Sequence, residues 1–128
     1  MKLRIRGDSL RLRLKRSEVE QLAAGNSVVE TTRFPGAEFC YRLDVVDGDV
    51  CAASFDAGTL TVQLPSDAVR NWASGNEVSI HAEQSLARNT LSILVEKDFA
   101  CLAPGDHREH EDDADTFPHP DAGSGNGC

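Results

Sequence analysis

The sequence predicts an α+β domain built from two copies of a β-β-α-β-β unit, and three observations predict it. The stretch from Leu10 to Val28, LRLRLKRSEVEQLAAGNSV, aligns without a gap on Leu60 to Val78, LTVQLPSDAVRNWASGNEV, fifty positions later. The flanking segments alternate apolar and polar residues, the period-two pattern of half-buried strands. Between strands lie short apolar stripes closed by Gly25-Asn26 and Gly75-Asn76, as in helices that end at a glycine. The shared Leu10/Leu60, Leu14/Leu64, Val19/Val69, Ala23/Ala73 and Val28/Val78 fall where strand and helix faces need them, so they mark shape rather than chemistry.

Element by element, Lys2 to Arg6 and Ser9 to Lys15 place Leu3, Ile5, Leu10, Leu12 and Leu14 on one face and cations on the other. Gly7-Asp8 between them suits a tight hairpin with glycine first. Ser17 is the expected N-cap, with Glu20 three residues later as in a capping box, and Val19, Leu22 and Ala23 form the buried stripe. Ser27 to Phe34 is β-branched, Pro35-Gly36 turns the chain, and Glu38 to Val46 alternates again, with Phe39, Tyr41 and Leu43 inward and Cys40 outward. After Asp47-Gly48-Asp49 the order returns: Ala52 to Phe55, a turn at Ala57-Gly58, Thr59 to Leu64, a helix opened by Pro65-Ser66-Asp67, then Glu77 to Ala82 and Thr90 to Val95. The fifty-residue shift sets Leu3 over Ala53, Ile5 over Phe55, Tyr41 over Leu91, Leu43 over Ile93 and Val45 over Val95.

One copy is too small to bury an adequate core, so its duplicate supplies the partner surface. Two independent grasp-like folds share this element order, but helices of about two turns are too short to cover a sheet each. The expectation is therefore a single domain over residues 1–102, with copies at about 1–48 and 51–98, forming one intertwined sheet or open barrel. Residues 103–128 carry Asp106, Glu109, Glu111, Asp112, Asp113, Asp115 and Asp121 and a Gly/Pro-containing end, the composition of a disordered acidic tail.

The net charge of −8 hides a strong polarity, because a basic head precedes that acidic end. The N-terminal stretch lacks the continuous apolar run of a signal peptide or membrane span, which points to a cytoplasmic protein without a membrane partner. In that reducing setting Cys40, Cys51, Cys101 and Cys128 are expected as thiols, Cys128 at the end of a glycine-rich arm.

The opening MKLRIRG-S-LRLRL, the segment Glu30-Thr31-Thr32-Arg33-Phe34, the run Val95-Glu96-Lys97-Asp98-Phe99-Ala100-Cys101-Leu102 and the later Phe117-Pro118-His119-Pro120 resemble a small bacterial family of unknown function. The resemblance covers the whole chain. It implies bacterial origin and a single domain, and it carries no catalytic residue across.

Two constellations bear chemistry. Lys2, Arg4, Arg6, Arg11, Arg13 and Lys15 project from one side of the first hairpin, whereas the second copy has Ala52, Ser54, Asp56, Thr61, Gln63 and Pro65 there, so the fold itself does not require the charge. Such a patch fits an acidic partner, a second copy of the chain, or the chain's own carboxylates folded back as a loose clasp. Nucleic acid fits less well, since no aromatic residues interleave the cations. Cys101, His107, His110, His119 and Cys128 form C-x5-H-x2-H-x8-H-x8-C, a donor set suited to zinc. Phosphate-binding, dinucleotide, nucleophile-elbow and metalloprotease motifs are absent from the sequence. The sequence thus predicts a small binding or regulatory domain using its basic hairpin, with a zinc-binding protein and a small enzyme with a site between the copies as alternatives.

Overall fold

Alternation and turn chemistry yield the strands and helices β1 (Lys2–Arg6), β2 (Ser9–Leu14), α1 (Arg16–Ala23), β3 (Val28–Phe34), β4 (Ala37–Val46), β5 (Ala52–Asp56), β6 (Thr59–Pro65), α2 (Ser66–Ser74), β7 (Ser79–Ser85) and β8 (Thr90–Lys97). They come from a computed structural model that describes residues 1–98. The expected domain end at 102 and the acidic tail lie outside the described residues. No helix among the described residues is long and apolar enough to cross a membrane.

The fold is α+β, but the single sheet or barrel is replaced by two separate four-stranded sheets, ordered β1-β2-β8-β7 and β3-β4-β6-β5. Each sheet joins one hairpin from residues 2–46 to one from 52–97 through a central parallel pair, β2 with β8 or β4 with β6; every other neighbouring pair is antiparallel. The chain thereby interweaves its two halves. The inner faces and both helices contribute to one core around Leu12, Leu14, Leu22, Leu43, Val62, Leu64, Val69, Trp72, Ile93 and Val95, all nearly inaccessible to solvent. Strand directions put both helices at one end and all four hairpin turns at the other, where Ile5, Phe34, Phe55 and Leu86 remain exposed.

Ladder registers show a detail that the gapless shift conceals. Lys2 faces Arg13 and Ala52 faces Gln63, so β1-β2 and β5-β6 correspond at fifty positions. Leu10 pairs with Ile93, however, and Leu60 pairs with Tyr41, so β4 and β8 correspond at fifty-two. Tyr41 therefore matches Ile93 and Leu43 matches Val95, not Leu91 and Ile93 as an unbroken shift requires. A slip of two residues keeps every side chain on its original face, which is why alternation alone does not reveal it.

The slip enters around α2. Gly25 ends α1 at φ +89, the left-handed conformation expected of it, but Gly75 is extended at φ −104. Gly75 is there for space: a Cβ would lie 2.8 Å from the Asn71 carbonyl oxygen. Trp72, fully buried, donates its indole N–H to the Val78 carbonyl at 3.0 Å and so fastens α2 to the segment leading into β7.

Helix α1 starts earlier than the Ser17 cap predicts. Lys15 holds the N-cap position, and its N–H donates to Glu18 Oε1 at 2.9 Å, so Glu18 takes the role assigned to Glu20. The other Glu18 oxygen accepts from the Met1 ammonium at 2.6 Å, and Glu30 Oε2 accepts from the same group at 3.0 Å. Tyr41 Oη donates to the Met1 carbonyl at 3.3 Å, which ties the start of β1 to β3, β4 and α1. On the opposite side, Gln84 of β7 stitches the sheets together by accepting from the Ala53 N–H at 2.7 Å and donating to its carbonyl at 3.2 Å.

Ala57 sits at φ +51 beside Gly58 at φ +79, a turn with both central residues left-handed. Ala57→Gly relieves a cost of about 1 kcal/mol and should raise the thermal midpoint measured by calorimetry. Burial pushes the Glu18 carboxyl up, but hydrogen bonds from the Met1 ammonium and the Lys15 N–H hold it below its ordinary 4.5. A carboxyl lowered on folding stabilises the protein above its unfolded value, and that contribution is lost as pH falls through the folded value. Glu18→Gln should cost about 1–3 kcal/mol at pH 7 and flatten the loss of stability below pH 4.5 in urea titrations.

Candidate functional site

The outer face of the first sheet is laid out by its ladder in rows. One row runs Lys2, Arg13, Glu96 and Ser79, the next Arg4, Arg11, Leu94 and His81, and the third Arg6, Ser9, Ser92 and Glu83. Opposite parity sends Leu10, Leu12, Ile93 and Val95 into the core, so the apolar half of each alternating strand fixes where its cations stand. Five of the six predicted cations share this face. Lys15 does not: β2 stops at Leu14 and Lys15 opens α1, because the capping bond to Glu18 ends the strand one residue early.

Glu96 is the residue that sequence reading missed. Its Oε2 accepts from Arg11 Nε at 2.7 Å and from Arg13 Nε and a terminal Arg13 nitrogen at 3.2 and 3.1 Å, with a side chain only 12% exposed. The signal was present in the alternation of Leu91, Ile93 and Val95 with Ser92, Leu94 and Glu96, but the expected last strand stops at Val95, one residue short of it. Like-charged guanidiniums on neighbouring rows are tolerable because one carboxylate holds both. Arg6 stands farther along the face, at the turn.

The second sheet offers a contrast. Its outer face carries Thr31, Cys40, Thr59, Thr61 and Ser54, and its cations each meet a carboxylate on the same sheet: Arg42 with Asp44 at 2.9 Å, Arg33 with Glu38 at 3.4 Å. Ser27 Oγ also donates to Asp44 at 2.6 Å. Among the described residues the first sheet's outer face carries five cations together with Glu83 and Glu96, and so is the richer of the two in cations.

A family model described as a family of unknown function (DUF7009) matches residues 1–121. The chain belongs to that family. No curated protein and no solved structure matches it. Membership agrees with the resemblance drawn from the opening and closing motifs, and it brings no activity with it.

The other predicted sites fare differently. Cys101, His107, His110, His119 and Cys128 lie outside the described residues, as does the clasp that the acidic segment would form. Among the described residues no cluster of His, Cys, Asp and Glu is grouped to hold a metal. Burial raises the Cys51 thiol above its ordinary value, so it stays protonated, while Cys40 accepts from Thr31 Oγ1 at 3.8 Å. His81 Nε2 lies 3.5 Å from Ser92 Oγ and 3.7 Å from Glu83 Oε2. Both neighbours sit on the same ring nitrogen, so the three do not form a nucleophile–base–carboxylate relay. Between α1 and α2, a groove of about 240 Å³ is lined by Leu22, Gly25, Val45, Ser66 and Val69, with Arg70 as its one ionisable side chain, and Arg70 is paired with Asp67. Nothing lining it could act as a general base at neutral pH.

Glu96→Gln tests the organisation of the face. Loss of the shared carboxylate should cost about 1 kcal/mol, since all three partners are partly exposed, and should retard elution from an anionic resin. Unaltered elution would mean that Glu96 does not moderate the charge.

Proposed function

We propose that this protein is a binding module that engages an acidic protein partner through Lys2, Arg4, Arg6, Arg11 and Arg13 on the outer face of its first sheet. The observation that carries the reading is the placement of all five on adjacent rows of one rigid sheet, in a chain whose net charge is −8. Solvated charges distributed to suit solubility alone have no reason to gather against the sign of the whole molecule.

The same face weighs against the rivals. A second copy pairing antiparallel along β1 would bring cation opposite cation, which is repulsive. Nucleic acid finds no Phe, Tyr or Trp on this face, where His81, Leu94, serines and two glutamates stand among the charges, and the remaining acidic surface repels phosphates.

An internal duplication with a two-residue insertion after the second helix deepens the reading. What supports it is the recurring element order together with matching rows: Leu3, Leu12, Val95 and Ile80 in one sheet, Ala53, Val62, Leu43 and Val28 in the other. The positions of the five cations then correspond to Ala52, Ser54, Asp56, Thr61 and Gln63, so the charge was acquired or kept by one half alone.

Binding of the full chain to fluorescent poly-L-glutamate tests the proposal. Arg4→Ala with Arg11→Ala should weaken it at least about tenfold, and affinity should fall steeply with salt. Equal affinity for the variant and wild type would refute the assignment, and stronger binding to a single-stranded oligonucleotide would redirect it to nucleic acid.

A further inference from the structure

We infer that the acidic partner is an extended segment that adds to the first sheet as a strand alongside β1, with carboxylates and apolar residues alternating. The inference rests on the binding face proposed above and specifies what occupies it. Among the described residues β1 is an edge strand, paired only with β2. In a hairpin with a two-residue loop the flanking residues exchange both backbone hydrogen bonds, and bonded pairs alternate along the ladder. Arg6, Arg4 and Lys2 therefore bond to β2, while the N–H and C=O groups of Leu3 and Ile5 point to the free edge. Among the described residues no backbone group bonds to them.

The other half of the molecule displays how such an edge is satisfied. Ala53 of β5 occupies the position corresponding to Leu3, and its outward N–H and C=O are both taken by the Gln84 amide, which imitates a neighbouring strand. By the same ladder correspondence Gln84 matches Thr32, since Gln84 faces Leu91 and Thr32 faces Phe39. A threonine is too short to supply the donor and acceptor pair of a glutamine amide. Among the described residues one edge is thus sealed by a side chain, and its counterpart is not.

Side chains along the open edge specify the newcomer. Ile5 lies on the core side of β1 yet is 57% exposed, so an added strand gains by placing an apolar residue beside it. On the outer side the added residues alternate with that one and stand next to Lys2, Arg4 and Arg6, where carboxylates are favoured. Alternating cations normally discourage edge pairing between like chains, and here they select a strand of opposite charge.

The test uses the full chain and three synthetic peptides of about seven residues, a usual strand length. One alternates glutamate and valine, one has the same composition with the glutamates in a block, and one is the alternating peptide N-methylated on every second amide. Expected are affinity for the alternating peptide about tenfold above that for the block peptide, loss of this advantage on N-methylation of the β1-facing amides, and slowed hydrogen exchange at Leu3 and Ile5. Thr32→Gln, which installs the seal found at Gln84, should reduce alternating-peptide binding to the block level and leave block-peptide binding unchanged. Equal affinities for alternating and block peptides, with no protection of Leu3 and Ile5, would overturn strand addition while leaving the cationic face intact. Absence of binding by all three would overturn both readings.

Discussion

Everything in this fold depends on two parallel strand pairings between the halves, β2 with β8 and β4 with β6. A β-β-α-β-β unit of some forty-five residues can form two hairpins and a helix, but each hairpin alone leaves an apolar face against water. Joining each hairpin to one from the other half makes two four-stranded sheets, and no half can then be removed without exposing both. The helices need only be about 12 Å long because they close one end of a core rather than cover a sheet. Their buried residues, Val19 and Leu22 on α1 and Val69 and Trp72 on α2, join the same cluster as the strand leucines and valines.

Because the core is shared, it fixes the orientation of the surface. Leu10, Leu12 and Leu14 must face inward, so Arg11 and Arg13 must face outward, and the antiparallel ladder then sets Arg4 beside Arg11 and Lys2 beside Arg13. Crowded cations need compensation. Glu96 supplies it from β8, which belongs to the other end of the described chain, so the pairing that builds the core also assembles the face. Asp44 occupies the corresponding row of the second sheet and there holds Arg42 and Ser27. A carboxylate at this place suits the fold in both sheets; the surplus of cations around it is peculiar to one.

Strands were legible in the sequence because alternation is a local signal, and Gly7, Pro35-Gly36 and Ala57-Gly58 marked their turns. What was not legible was non-local. The β2–β8 ladder joins Leu10 to Ile93, and no local pattern distinguishes that arrangement from one continuous sheet. The two-residue slip escaped notice because it preserves side-chain parity, and the start of α1 was misplaced because Glu18, not Ser17, satisfies the first turn through the Lys15 N–H. The cationic residues themselves were readable from alternation. Glu96 was not, since its role depends on a strand neighbour more than eighty positions away.

The two outer edges that flank the core, β1 and β5, illustrate how a repeated architecture can become specialised. Both begin hairpins of the same register, and both turn backbone donors and acceptors away from their partner strand at Leu3 and Ala53. At β5 the Gln84 amide answers them, and the nearby side chains are Ala52, Ser54 and Asp56, which have nothing to attract an acidic segment. At β1 the position of Gln84 is held by Thr32, the neighbouring side chains are Lys2, Arg4 and Arg6, and the start of the strand is anchored through Met1 to Glu18, Glu30 and Tyr41. Anchoring one end while leaving the remainder exposed holds the edge extended, so an incoming strand does not have to order it. Among the described residues, sealing and a lack of cations coincide at one edge, openness and positive charge at the other. An edge kept open only by accident would be a liability for aggregation, which the charge offsets by repelling copies of itself; under the proposed strand addition the same charge gives selectivity for an acidic strand.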